Sequence, residues 1–386
     1  MKRLLRLPSL YLSLPMLIAC GLTLLTYDLP RDYVEGPLLL IVVALLFVAF
    51  DAVVGVRLPH MQLFRARNYA GTREAFVALA FAGLILLFCA LDLTLFPIPL
   101  LTNPSSYAVM EGGRAHVRHI SDMCWVLPPI GLLCARSRWL RNTLILTGFV
   151  FPVLVIDRNR IFAALYSYGL VLVLRRDPAR PLPWKMIWAL VLSGALIFSV
   201  LGALRSGSLD FVTLPFSSFY RDAPQGVKWL LLYITAGPYN FGSLLAKHYV
   251  NADFLINQLV PLQGSVATLG TGIPLDAPNI NVGTEFLPFL LALGPTAAVA
   301  AFFALYVMLL WSTWHWKRRL GLFSLLIFLR VSYCCVMSPF APQAFTWTNV
   351  GFILVSLVIS AFATLLPNRR VRRTLQDARA RLPINS

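Results

Sequence analysis

The sequence predicts an all-α polytopic membrane protein with about ten transmembrane helices and a large, partly helical periplasmic loop. Three observations carry that expectation. The 386 residues are 58% hydrophobic and only 13% charged, with a mean hydropathy of +0.74, outside the range of a water-soluble globular domain. Charge-poor runs of about 17 to 25 residues recur along the chain, the length a helix needs to cross a hydrocarbon core about 30 Å thick. These runs lack the alternation of polar and apolar positions that barrel strands would show.

Taken in order, the runs cover approximately 8–27, 37–56, 75–96, 119–135, 141–156, 160–175, 184–204, 284–311, 319–338 and 347–366. The first opens as a signal peptide would, but no small-residue cleavage site follows its apolar stretch, so it reads as a retained span. Lys and Arg set the orientation. With a cytoplasmic N-terminus, 23 of the 33 basic residues lie in inner segments, nine lie outside and Arg330 lies within a span, the bias expected of cytoplasmic loops. Both termini are then cytoplasmic.

The formal charge of +17 is topogenic and does not point to nucleic acid. Inner segments contain only Glu74, Asp177 and Asp377 as acids and balance at +20, against −3 for the rest of the chain. The basic tail, 367–386, suits anionic lipid, at about 1 kcal/mol per residue near the surface. Six cysteines fall in or beside apolar runs with no CxxC pair and no histidine at ligand spacing, so they read as inert side chains rather than metal ligands.

Two outer loops are long, about 97–118 and about 205–283. The second, nearly 80 residues, is too long for an idle connection. Its segment 228–250, KWLLLYITAGPYNFGSLLAKHYV, reads as surface-lying or re-entrant helix capping a cavity. The alternative, a further crossing at 229–250, would invert everything downstream. No internal repeat of the transporter kind is visible.

VIDRNRIF, residues 155–162, then places Arg158 and Arg160 on the outer face, against the charge rule. Asp157 could pair with one of them. Arg114, Arg118, Arg205 and Arg221 keep them company, and arginine supplies seven of the nine outer basic positions. Planar forks suit a phosphate or diphosphate better than lysine does. Arg158, Arg160, Arg205, Arg221 and the membrane-embedded Arg330 are therefore the candidate diphosphate ligands, with a structural pairing of Arg330 to Asp122 or to a backbone carbonyl as the plain alternative. Glu285 and His248 are the candidate acid–base groups. Glu285 could equally sit where the N-terminal dipole of the next helix favours a carboxylate. Tyr233, Tyr239, Asn281 and Thr284 are the candidate substrate contacts. No paired carboxylates, HExxH, GxSxG, Walker or Rossmann signature is present.

Four segments taken in order carry a resemblance: DRNRIFAALYSYGLVLVLRR, ALRSGS, YITAGPYNFGSLL and NVGTEFLPFLLALGPTAA. They resemble segments of the bacterial Wzy-type O-antigen and oligosaccharide repeat-unit polymerases, GT-C-like membrane enzymes. Where that family commonly carries Asp-Phe-Gly, this chain has Ala292, Leu293 and Gly294. The resemblance implies a multi-pass protein of the bacterial inner membrane that moves a growing glycan from undecaprenyl diphosphate to a sugar hydroxyl of another lipid-linked repeat unit. It implies no cofactor or metal, and partners that include the lipid-linked oligosaccharide, a chain-length regulator and a flippase. In it, Arg158, Arg160 and Arg205 hold the diphosphate, and Glu285 or His248 takes the acceptor proton. An O-antigen ligase using the same donor is the neighbouring alternative, kept open by His248. A flippase or exporter of lipid-linked sugars is the alternative of another class, with Asp51, Asp122 and Arg330 as its intramembrane charges.

Overall fold

A computed structural model of the chain describes residues 8–53, 66–103, 113–176, 183–206, 213–260, 272–278 and 280–365, with the backbone alone for Phe198 and for 201–206. Within them the protein is all-helical, with one isolated bridge between Tyr27 and Phe216. Five helices are long and apolar enough to cross a membrane: α1 (Ser9–Thr26), α2 (Arg31–Val53), α3 (Arg73–Leu95), α13 (Pro295–Arg319) and α15 (Trp347–Leu365). Shorter apolar stretches lie in α8 (Trp184–Ser206) and α14 (Leu322–Met337). The fifth and sixth expected spans form α6 (Arg138–Leu154) and α7 (Arg158–Arg175); α6 has only 17 residues, and α7 carries Arg158, Arg160 and Arg175 within its 18.

The expected fourth span has a different construction. A helical run extends from α4 (Arg114–Ser121) through a 3-10 turn (Asp122–Val126) into α5 (Leu127–Cys134). Pro128 and Pro129 have no N–H to return to Cys124 and Trp125, so the turn tightens there. The freed Trp125 carbonyl accepts from Ser167 Oγ at 3.2 Å. The run expected over 284–311 is also divided. α12 (Leu287–Leu293) stops at Gly294, whose φ of +86° suits only glycine, and Pro295 starts α13.

At the centre stands α14. Every residue but Val336 is buried, as expected of a helix apolar on all sides. α1, α3, α7, α13 and α15 pack around it. Connections gather at two ends of this bundle. At one, Tyr69 donates to the Leu320 carbonyl, Arg73 to that of Thr364, Arg175 to that of Leu132, and Glu74 accepts from Leu322 N–H. The other end holds the turn before α7, the start of α2, the stretch 218–259 and α12. All six cysteines are buried and unbridged.

The long 205–283 segment contributes α9 (Ser218–Arg221), α10 (Gln225–Ala246) and α11 (Asp253–Leu259). α10 packs on α1, α2 and α8. Its docking depends on paired glycines: a Cβ on Gly36 would strike the Gly242 main chain, and one on Gly242 would strike the Tyr33 carbonyl. Thr235 adds a hydroxyl bond to Tyr27 at 3.2 Å, and its carbonyl accepts from Thr23. Replacing Gly242 by Leu should separate α10 from α2 and cost about 1–3 kcal/mol or more. Gly21→Ala, where nothing lies within 4 Å, should leave the thermal midpoint unchanged or raised. Equal midpoints for G242L and the parent protein in detergent would refute this close docking.

Candidate functional site

The turn before α7 is strained. Pro152 interrupts α6, and Ile156, buried and β-branched, adopts φ +55°, a conformation such residues rarely enter. Asp157 then caps α7 by accepting from Arg160 N–H at 3.0 Å. This geometry joins three consecutive residues to three elements. The Arg158 guanidinium lies over the Tyr233 ring of α10, 5.3 Å from its centroid. The Asn159 carbonyl accepts from Tyr333 Oη of α14 at 2.8 Å. Arg160 pairs with Asp122 of the 3-10 turn at 3.0 Å and with Asp157 at 3.7 Å.

A second charged group lies alongside. Asp92, near the end of α3 and wholly buried, takes Arg114 at 3.1 Å and Arg118 at 2.8 Å, and Ser121 Oγ at 3.2 Å. Two guanidinium groups on one carboxylate leave a net positive charge. Removing Asp92 would leave both uncompensated, a loss of about 3–5 kcal/mol for a buried pair.

Arg330 sits midway along α14 and is only 5% exposed. Its Nε donates to Asn349 Oδ1 at 3.2 Å, and its guanidinium lies 6.0 Å from the Trp125 ring centroid and 5.8 Å from that of Tyr333. The alternative partner weighed for it, Asp122, is engaged by Arg160 instead. Asn349 in turn donates to the Ala344 carbonyl at 2.8 Å. Glu285 completes the group from the connection before α12. Its carboxylate accepts the N–H groups of Gln343, Ala344 and Phe345 at 2.5, 2.9 and 3.0 Å, and its own N–H donates to the Ser338 carbonyl. Full burial pushes the Glu285 carboxyl up to about 7, while the three N–H donors and the Arg330 charge pull against it. The sequence favoured either an acid–base group or an interaction with the following helix dipole. The observed carboxylate anchors the α14–α15 connection.

The remaining expected residues divide. Thr284 is buried beside Glu285, and Asn281 is exposed. Tyr239 donates to Asp276 at 2.8 Å, joined there by Ser243, Lys247 and Tyr33. Asn240 donates to the Ile280 and Val282 carbonyls. One face of α10 thus holds down the stretch 272–282 on either side of residue 279. Burial tends to raise the Asp276 carboxyl, but Lys247 and the Tyr239 and Ser243 hydroxyls hold it below its ordinary value. Arg221 is exposed at the end of α9. His248 is exposed in a left-handed turn after α10, about 20 Å along the helix from Tyr233 at 1.5 Å per residue. Arg205 lies in the last turn of α8, and its side chain is outside the described residues.

The structure therefore brings together Arg158, Arg160, Arg330, Tyr233, Thr284 and Glu285, and leaves Arg221, Asn281 and His248 at the surface. No known protein family, curated protein or solved structure matches the chain. Asn349, Trp125 and Tyr333 join the group without having been singled out in the sequence. An amide in the first turn of an apolar run, as in WTNV, is the signal that marks Asn349. Among the described residues, no three His, Cys, Asp or Glu side chains are grouped to hold a metal ion.

Raising the Glu285 pKa on folding fixes the sign of its pH effect. Folding favours its neutral form, so its stabilising contribution is full below its ordinary 4.5 and is lost as pH rises through about 7. Glu285→Gln does not titrate. The thermal midpoint of the parent protein, referred to that of E285Q at each pH, should fall between pH 5 and pH 8. A constant difference across that range would contradict the assignment.

Proposed function

We propose that the chain is a glycosyltransferase of the bacterial inner membrane, with about ten crossings, cytoplasmic termini and its Arg158 end facing the periplasm. In this reading it polymerises lipid-linked oligosaccharide repeat units, taking the growing glycan from undecaprenyl diphosphate. The supporting observation is convergence. The segments around residues 158, 233 and 284, far apart in sequence and singled out by their resemblance to repeat-unit polymerases, meet at one end of the bundle through the Arg158–Tyr233 contact and the close approach of Gly237 to Thr284 and Pro339. Segments assigned to the cytoplasm on charge, around residues 69, 74, 175 and 320, meet at the opposite end, as alternating crossings require.

The chemistry follows from the groups present. The acceptor hydroxyl oxygen forms a bond to the anomeric carbon, whose bond to the diphosphate oxygen breaks, and the electron pair leaves with the diphosphate. Arg158, half-buried against Tyr233, neutralises that growing charge, where a preorganised cation acts most strongly. Arg160, committed to Asp122 and Asp157, holds the turn that aims Arg158. Glu285 is committed to three N–H groups, so the acceptor proton passes to the departing diphosphate rather than to this carboxylate. Lipid diphosphate carries the driving force, and the reading needs neither nucleotide nor metal.

His248, which kept a ligase in view, lies far along α10 from Tyr233. Apart from Asp51, the buried charged side chains named above gather at the Arg158 end rather than along the bundle, an arrangement suited to a site more than to an export path. Purified protein incubated with a lipid-linked repeat unit should yield a ladder without metal or nucleotide. Arg158→Ala should reduce its rate at least about 100-fold, while Arg318→Ala at the opposite end leaves it unchanged. Full activity in R158A, or transfer to a lipid A core acceptor alone, would overturn the reading.

A further inference from the structure

Arg330 is the one arginine of the group on the central helix, and its surroundings specify its orientation closely. Its Nε is fixed by Asn349, and its guanidinium carbon lies 6.0 Å from the Trp125 ring centroid and 5.8 Å from that of Tyr333. Its Nη1 is buried with no hydrogen-bond partner among the described residues. An unpaired guanidinium nitrogen is costly in so apolar a setting, and a fork held in this way is prepared for an acceptor oxygen. Tyr333, close to Arg330, also donates to the Asn159 carbonyl next to Arg158, so one tyrosine touches the surroundings of both arginines. Asn349 uses both ends of its amide. Oδ1 receives Arg330, and Nδ2 binds the Ala344 carbonyl in the loop anchored by Glu285.

We propose that Asn349 is a positioning residue that aims Arg330 so that Nη1 binds an oxygen of a phosphate or diphosphate group. The proposal rests on the reading of the chain as an enzyme with a diphosphate-linked donor, and it adds a second, deeper contact to that of Arg158. Asn349 touches no substrate and acts through Arg330. The same phosphate chemistry could come from a free anion, an isoprenyl diphosphate or an anionic lipid headgroup.

The test measures binding of inorganic pyrophosphate and geranyl diphosphate to the full chain in nanodiscs of phosphatidylcholine, with and without phosphatidylglycerol. Asn349→Ala and Arg330→Gln should each weaken pyrophosphate binding about 10- to 100-fold, the range of a charge-assisted hydrogen bond. In the R330Q background, N349A should have no further effect, an outcome that a general scaffolding role would not produce. Arg330→Lys, which keeps the charge and loses the fork, serves if R330Q fails to fold, and should likewise abolish the effect of N349A. Tighter binding of geranyl diphosphate than of pyrophosphate identifies a lipid-linked ligand. Competition by phosphatidylglycerol identifies a headgroup.

Parent-like binding in both single variants means that a buried water alone meets Nη1, and overturns the proposal. Multiplying effects of N349A and R330Q overturn the positioning role. Pyrophosphate binding lost in the variants, with no ladder formed by the parent protein from any repeat unit, would remove the polymerase reading and leave this site standing. A ladder insensitive to both variants would do the reverse.

Discussion

Guanidinium and carboxyl groups placed inside an apolar helical bundle must find their partners within it, and this constraint organises one whole end of the protein. Asp92 with Arg114 and Arg118, Asp122 and Asp157 with Arg160, and Asn349 with Arg330 together join α3, α4, the 3-10 turn, α7, α14 and α15. Dispersion and apolar burial bring helices together but specify register weakly. A lone buried ion costs several kcal/mol, enough to reject neighbouring registers in which these pairs would not meet.

The opposite end solves a smaller problem with carboxylates. Asp51 accepts the N–H of Ser9 at 2.6 Å and the hydroxyl of Tyr306, and Glu74 accepts the N–H of Leu322 at 2.7 Å. Each acid caps the start of a helix other than its own, where unsatisfied N–H groups and the helix dipole favour negative charge. Charge there closes helices, and among the described residues no buried guanidinium lies with them. The two ends therefore differ in kind: one is closed by carboxylate caps, while the other holds Arg158 and Arg330 against aromatic rings, with Arg330 Nη1 buried and without a hydrogen-bond partner among the described residues.

Apolar runs placed α1, α3, α8 and α15 to within a few residues, because length and hydropathy decide such helices. α2 begins earlier than its apolar run, with the polar Arg31, Asp32 and Glu35 in its opening turns and Gly36 of the second turn packed on Gly242 of α10. The breaks at Pro128–Pro129 and Gly294 were written in the sequence but hidden by hydropathy, which is indifferent to missing N–H donors and to positive φ. The arginines were legible singly, and Asp157 as a partner for one of them, whereas the more distant partners were not. Asp122 lies 38 residues from Arg160 and Asn349 lies 19 from Arg330, and composition does not encode such pairings. Glu285 illustrates the same limit, since no local pattern announces that its carboxylate will receive three N–H groups from 58 to 60 residues away.

The approach of α10 to the turn before α7 makes a single site out of separate segments, so the Arg158–Tyr233 contact is the point to test. In a cysteine-free background, Arg158→Cys and Tyr233→Cys would be combined and treated in intact spheroplasts with a short, membrane-impermeant bis-methanethiosulfonate. The account predicts an intramolecular cross-link formed from the periplasmic side, in the double variant alone. Absence of the cross-link, or its formation only after the cytoplasmic face is opened, would contradict it.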